Sequence, residues 1–499
     1  MRLRKALLGL AAALTFVGQA HAQQLLRDAE IEQWLDDYSR PIFRAAGLPA
    51  DQIQILIIGD PTINAFAASL IMGVNTGTLT NADTPNEVVG VIAHETGHMA
   101  GGHSARSDDM VAAATRPMLL SLVLAAGAIA AGAPQAGIGI LGLGQTIGTA
   151  NYLKYSRGQE ASADQAAVTY LDALHESSAG LISFFNKMKN SQIITGYKIN
   201  PYMVSHPLAL DRVQALERRA MASPYYDLKD SPEEIERLKL IQAKINGFLQ
   251  DTNVTLRQYP LSDQSDPAHY ARAVAYYRGS MIEKAEKEID YLIEKHPENP
   301  YFYELKGQML FEFGHVAESI EPHRRSVELA PTKALLRINL GRALIATEDA
   351  AQFPDAIKEL RSALNIEPDN SFGWFELARA YGGLGNEAMA DLATAESRYH
   401  SGSPGEAAVF AARARKGLTP NTPEYRQASD IIAAAQAISA GGRGARGPSR
   451  LPSPDPGQQT PEDDEDGGSD TDSQDNGGKT QTPAPQSPKD GDVPDPPTN

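Results

Sequence analysis

Two histidines four residues apart, in His94-Glu95-Thr96-Gly97-His98, limit what this 499-residue chain can fold into more than any other feature. An α-helix turns once every 3.6 residues, so positions four apart share a face. As a helix, the segment aims both imidazoles at one point, and Glu95 follows the first within reach of a water held there. Two imidazoles and a neighbouring carboxylate are two ligands and the general base of a hydrolytic zinc centre. Zinc lowers the pKa of a bound water from about 15.7 to roughly 7, and the carboxylate takes the proton during attack. Solvated helix faces also carry paired histidines, but Val88, Val89, Val91 and Ile92 are apolar at helical spacing and predict a buried helix. Thr84 with Glu87 three residues on predicts a capping box at its start.

A catalytic zinc takes three protein ligands and one open position, so a third ligand must come from elsewhere. His103 stands five residues after His98, one short of a His-x-x-Gly-x-x-His continuation, and Ser104 falls at the ligand position. That leaves His103 as a supporting or surface residue. Glu160 in the helical stretch Ser156 to Asp164 is the better ligand, with Asp164 one turn beyond on the same face. Asp164 is expected to accept the free ring N–H of a zinc histidine and fix its tautomer. A further cluster runs from Ser205 through His206-Pro207 to Arg212. A residue before proline is held extended, which presents His206 from a loop. His206 is expected either to fill the open zinc position until substrate displaces it or to stabilise the oxyanion. Arg212 is expected to hold Glu160 or Asp164, or to bind a substrate carbonyl.

Asn64-Ala65-Phe66-Ala67, the zinc motif, the Glu160/Asp164 pair and the His206-Pro207 to Arg212 segment, in that order, resemble the M48 family of zinc metallopeptidases. The resemblance implies an α+β gluzincin fold with one zinc ion held by His94, His98 and Glu160, and Glu95 as general base. It also implies that Asn64, Ala65 and Phe66 lie on an edge strand along which an extended substrate adds a further strand. Gln52 to Ile58 and Ile63 to Val74 read independently as strands joined by a Gly59-Asp60-Pro61 turn.

The first residues carry Arg2, Arg4 and Lys5, then an apolar run from Ala6 to Val17, then Ala20-His21-Ala22. This pattern predicts a secretory signal cut after Ala22. The chain has no cysteine, so disulfides contribute nothing to it. From Pro117 to Leu153 there is no charged residue, and Pro134 divides the stretch into halves shorter than the roughly 20 residues a membrane helix needs. We expect a hairpin buried on the protease core or lying over its active site, with membrane contact through 117–150 as the competing reading.

The second half follows another rule. Pro297, Pro331 and Pro368 recur near the roughly 34-residue period of tetratricopeptide repeats. Gly307, Gly341 and Ala378 then fall in first helices, and Ala285, Ala356 and Ala390 in second helices, where small side chains let helices cross closely. About four repeats are expected from Asp266 to His400, with an insertion near Ala351 to Phe353 and a further helical stretch from Pro404 to Ile438. After Gly441 the composition turns to Pro, Gly, Ser, Asp and Gln, and from Leu451 onward the net charge is −10 out of the chain's −17. That predicts disorder, and the acidity argues against nucleic-acid binding.

The expected fold is mainly α with a small β-sheet. A signal spans 1–22, an α+β zincin domain 23–258, an α-solenoid of repeats 259–438 and an acidic tail 439–499. A secreted zinc protease joined to such repeats resembles M48 members that act in outer-membrane protein quality control in the Gram-negative periplasm. Misassembled outer-membrane proteins and the barrel-assembly machinery are the partners this implies. A repeat-based chaperone with a dormant zinc site is the competing class. A structural site has no use for Glu95, which weighs against it.

Overall fold

The computed structural model describes residues 25–103, 115–125, 134–195, 201–208 and 210–444. The expected signal over 1–22 and the acidic tail beyond 444 lie outside the described residues. Strands β1 (Leu25–Leu26), β2 (Gln54–Ile58), β3 (Ala65–Ala68) and β4 (Ile71–Asn75) form one sheet in the order β1-β2-β4-β3. β2 runs parallel to β4, from Gln54 opposite Ile71 to Ile58 opposite Asn75. β1 and β3 are antiparallel edges. The stretch Ile63 to Val74, expected as one strand, is instead a hairpin. Ser69 adopts φ 54° and the chain reverses through Leu70 into β4. No Gly or Asn marks that turn, so an apolar stretch gave no sign of it.

Helix α1 (Ala29–Ala45) is capped by Asp28, whose side chain accepts from the amides of Glu30 and Ile31. It buries Trp34, Leu35, Ile42 and Phe43 in the core of this half. Short α2 (Thr76–Thr80) leads from β4 to α3 (Pro85–Ala100), which carries the histidine motif and is buried from Pro85 to His98. Thr84 is the N-cap of α3, but the expected capping box does not form. Glu87 instead accepts from the Asp83 amide (2.8 Å) and pairs with Lys187 Nζ (2.7 Å). A cation is a stronger partner for a buried carboxylate than a neutral amide.

Helices α4 (115–125), α5 (Pro134–Ala173), α6 (Ala179–Thr195), α7 (Pro201–Ser205), α8 (Leu210–Met221), α9 (Pro232–Leu249) and α10 (Thr252–Gln258) complete this half. Gly97 sets the contact of α3 with α5. A Cβ there would meet the Ala163 carbonyl oxygen at 2.8 Å, so the two backbones touch one residue before Asp164. The uncharged stretch departs from expectation. Pro134 opens the 40-residue α5, and Glu160 lies on that same helix. Nor are its large side chains buried: Leu119, Leu122 and Val123 of α4 are 57%, 56% and 69% exposed. Among the described residues no helix is long and apolar enough to cross a membrane.

Five helix pairs follow: α11/α12 (Asp266–Arg278, Ile282–Lys295), α13/α14 (Pro300–Glu312, Val316–Leu329), α15/α16 (Ala334–Ala346, Phe353–Ile366), α17/α18 (Ser371–Gly383, Glu387–His400) and α19/α20 (Pro404–Gly417, Pro423–Gly444). They form a tetratricopeptide-like solenoid. A Cβ at Gly307 would strike His323, and one at Gly341 would strike Leu360, which is why those positions stay small. The extra residues of the third repeat form a 3₁₀ turn at Ala350–Gln352. The residues through Gly441 cluster as one compact unit. Lys244 of α9 is buried between the halves, with its Nζ 2.8 Å from Asp28, 3.1 Å from Glu30 and 3.6 Å from Glu304. Tyr270 Oη donates to Glu30 (2.8 Å), and Arg27 pairs with Glu367 (2.9 Å). The array therefore curls back onto the N-terminal segment.

Candidate active site

Four side chains from two helices and a turn meet beside Gly97. His94 and His98 come from α3, Glu160 from α5, and His206 from the turn after α7; all four are buried and their ligand atoms lie within 4.8 Å of one another. His94 Nε2 is 3.1 Å from His98 Nε2 and 3.4 Å from His206 Nδ1. Glu160 lies 3.5 Å from His94 Nε2, 3.4 Å from His98 Nε2 and 3.1 Å from His206 Nδ1. Ligands bound tetrahedrally to zinc at roughly 2.0–2.1 Å stand roughly 3.4 Å apart. Five of the pairwise contacts, taken over both Glu160 oxygens, are close to that length, so the residues present could hold a metal ion.

Other residues orient these four. His94 Nδ1 sits 3.0 Å from Asp164 Oδ1, and His98 Nδ1 sits 2.9 Å from His103 Nδ1. Each α3 imidazole thus has one nitrogen toward the cluster and the other against an orienting group. Arg212, expected among the substrate-binding residues, is buried on the acid pair. Its Nε and Nη2 donate to Asp164 at 2.6 and 2.8 Å, and Nη1 lies 2.9 Å from Glu160. Nη1 also donates to the Pro207 carbonyl (3.1 Å), tying the His206 loop to the same guanidinium. The Tyr202 ring stacks on His206 at 4.5 Å and 28°, and Phe185 stands edge-on to His94 at 5.9 Å. Neither aromatic was singled out from sequence, although Tyr202 precedes His206 by one helical turn.

Glu95 is buried, with Oε1 3.5 Å from His206 Nε2 and no hydrogen-bond partner among the described residues. A buried carboxylate oxygen left unpaired calls for a water or an ion. Burial alone would lower the His94 pKa, but hydrogen bonds to Asp164 and Glu160 outweigh it and raise it to about 9. Burial pushes Glu160 up, yet hydrogen bonds from His206, His94 and His98 hold it far below the usual carboxylate range. Asp164 is likewise held low against its burial, first by Arg212 and then by His94. Both carboxylates are therefore anionic, as ligand chemistry requires.

Of the expected strand residues, Asn64 commits its backbone to Thr78, accepting from Thr78 Oγ1 at 2.7 Å and donating to it at 3.0 Å. The Ala65 side chain is buried, and the Phe66 ring lies over Gly73. β3 is an edge strand packed against α3.

This fold and cluster define a class. Residues 27–220 match the model of peptidase family M48, so the chain carries an M48 peptidase domain over that stretch. The whole architecture has relatives too. A Vibrio cholerae serotype O1 protein is 24% identical over 381 residues, covering 74% of this chain and 76% of its own length. The Escherichia coli K12 protein named beta-barrel assembly-enhancing protease is 23% identical over 384 residues, with the same two coverages. Among solved structures, one titled MamA MSR-1 C2 overlaps 33% of this chain and 92% of its own, at 16% identity and a TM-score of 0.29.

Proposed function

We propose that the chain is a zinc-dependent endopeptidase of the bacterial periplasm that degrades misfolded or stalled outer-membrane proteins and assists their assembly. The tetrahedral convergence of His94, His98, Glu160 and His206 carries the reading. His94, His98 and Glu160 hold the ion, and one zinc per chain supplies the Lewis acidity that polarises a scissile carbonyl and acidifies the attacking water. Glu95, whose Oε1 has no hydrogen-bond partner among the described residues, takes the proton from that water and returns it to the leaving amine nitrogen. Asp164 keeps His94 in the tautomer that presents Nε2, and Arg212 holds Asp164 and Glu160 in place.

His206 occupies the fourth corner of the cluster. In the resting enzyme it fills the position substrate must take, and its displacement opens the site. Once displaced, its imidazole is placed to stabilise the developing oxyanion. An extended client adds along β3, taking up backbone hydrogen bonds beside α3. Unpaired barrel strands present the edges such a surface accepts. The name of the E. coli relative and the concave face of the repeats support this client class and contact with the barrel-assembly machinery. A dormant zinc site would leave the buried Glu95 oxygen without purpose. Glu95→Gln is the test. Cleavage of unfolded casein should fall about 10²–10⁴-fold with zinc content unchanged. Undiminished proteolysis in that variant would remove the assigned base.

A further inference from the structure

We infer that α4, together with the outward side chains of the first half of α5, inserts into one leaflet of a lipid bilayer rich in anionic headgroups. This stands independently of the peptidase reading. Every large apolar residue of α4, at positions 118–120 and 122–124, is 41–69% exposed, whereas its small Ser121 and Ala125 face the protein. A surface helix in water does the reverse, burying its large apolar residues and exposing its polar ones. Stepped at about 100° per residue, the exposed positions sweep roughly 240° of the helix circumference. A protein groove grips a helix along an apolar stripe of roughly 100°. Fluid acyl chains close around so wide an arc, which a single preformed groove does not.

Length and charge say how deep. The described part of α4, eleven residues at about 1.5 Å each, spans roughly 16 Å against a hydrocarbon core of about 30 Å. Among the described residues no helix is long and apolar enough to cross, so the insertion is into one leaflet. On α5, Leu143 is 60% and Ile147 43% exposed, continuing the apolar surface. The charged residues nearest the uncharged stretch in sequence are Arg116 and Lys154, both cations, which suits anionic headgroups. From Leu143 to Glu160 along α5 is roughly 25 Å. The bilayer surface thus stands one short extended segment away from the metal cluster, within reach of a chain emerging from the membrane.

The absence of cysteine makes the test direct. Val123→Cys places a single thiol on α4 for an environment-sensitive fluorophore, and Val409→Cys places one on the repeats, where Val409 is also exposed. The full chain is mixed with vesicles of phosphatidylethanolamine and phosphatidylglycerol whose acyl chains carry bromine. The label at 123 should shift to the blue and be quenched, while the label at 409 should not change. Leu120→Gln combined with Leu124→Gln should weaken vesicle partitioning at least about tenfold, with melting temperature and zinc content retained. An unchanged label at 123 in millimolar lipid overturns the inference. So does sedimentation showing that a second copy of the chain covers the label without lipid.

Discussion

Around Lys244 three carboxylates close on a cation that the chain itself provides; around Glu160 three imidazoles close on a point where it provides none. Both clusters are buried. At the first, Asp28, Glu30 and Glu304 lie 2.8–3.6 Å from one ammonium group. Burial would depress the Lys244 pKa, but the surrounding acids hold it well above its ordinary value, so the cation is permanent. At the second, the nearest cation among the described residues is Arg212, which stands behind Asp164 and Glu160. The first cluster is a self-contained joint between the peptidase half and the repeats. The second is a cluster that could hold a metal ion.

The contrast breaks most easily at Lys244. Lys244→Met should destabilise the fold by about 3–5 kcal/mol in a denaturant titration, because three acids lose their buried partner. Its cost should be the same with and without chelator, since the clusters share no residue. Next in size, Asp164→Asn should weaken zinc about 10–100-fold in competition with a chelating dye. Glu30→Gln, on the other cluster, should leave zinc affinity alone. Gly97→Ala comes third: its Cβ must part α3 from α5, costing about 1–3 kcal/mol and weakening zinc, readable by thermal melting and metal titration. A fully stable, zinc-loaded Gly97→Ala protein would show that the close approach does not build the site.

The smallest effect concerns pH. Burial raises the Glu304 carboxyl to about 7 against the opposing pull of Lys244. A raised folded pKa means the folded state binds more protons than the unfolded one between roughly pH 4.5 and 7. The contribution of Glu304 is fully present below about pH 4.5 and lost as pH rises through 7. Glu304→Gln should remove this dependence, so its stability advantage over wild type should grow as pH rises from 5 to 8. Identical pH profiles would mean Glu304 is ionised throughout.

How much of this was legible in sequence follows from how locally each signal is written. His94, Glu95 and His98 are fixed by helix geometry alone, and the repeats announce themselves through prolines a repeat apart. Glu160 and Asp164 were readable because one turn of helix keeps them on one face. The hairpin at Ser69 was not, because no Gly or Asn marks the reversal and Ser69 alone is a weak turn signal in an apolar stretch. The capping box failed because Glu87 found Lys187, a hundred residues away. Arg212 reads as either a substrate or a support residue until its partners are seen. Asp28 and Glu30, Lys244, and Glu304 lie on three separate stretches of chain with no shared period, and only folding brings them together. The outward apolar face of α4 also needed the fold, since composition cannot tell a buried run from an exposed one.

Zinc K-edge X-ray absorption of the purified full chain tests the central claim most directly. One zinc per chain should show three imidazoles and one carboxylate at about 2.0–2.1 Å, and His206→Ala should remove one imidazole. A chain that retains no zinc in metal-replete buffer, or an imidazole count unchanged by His206→Ala, would contradict the account.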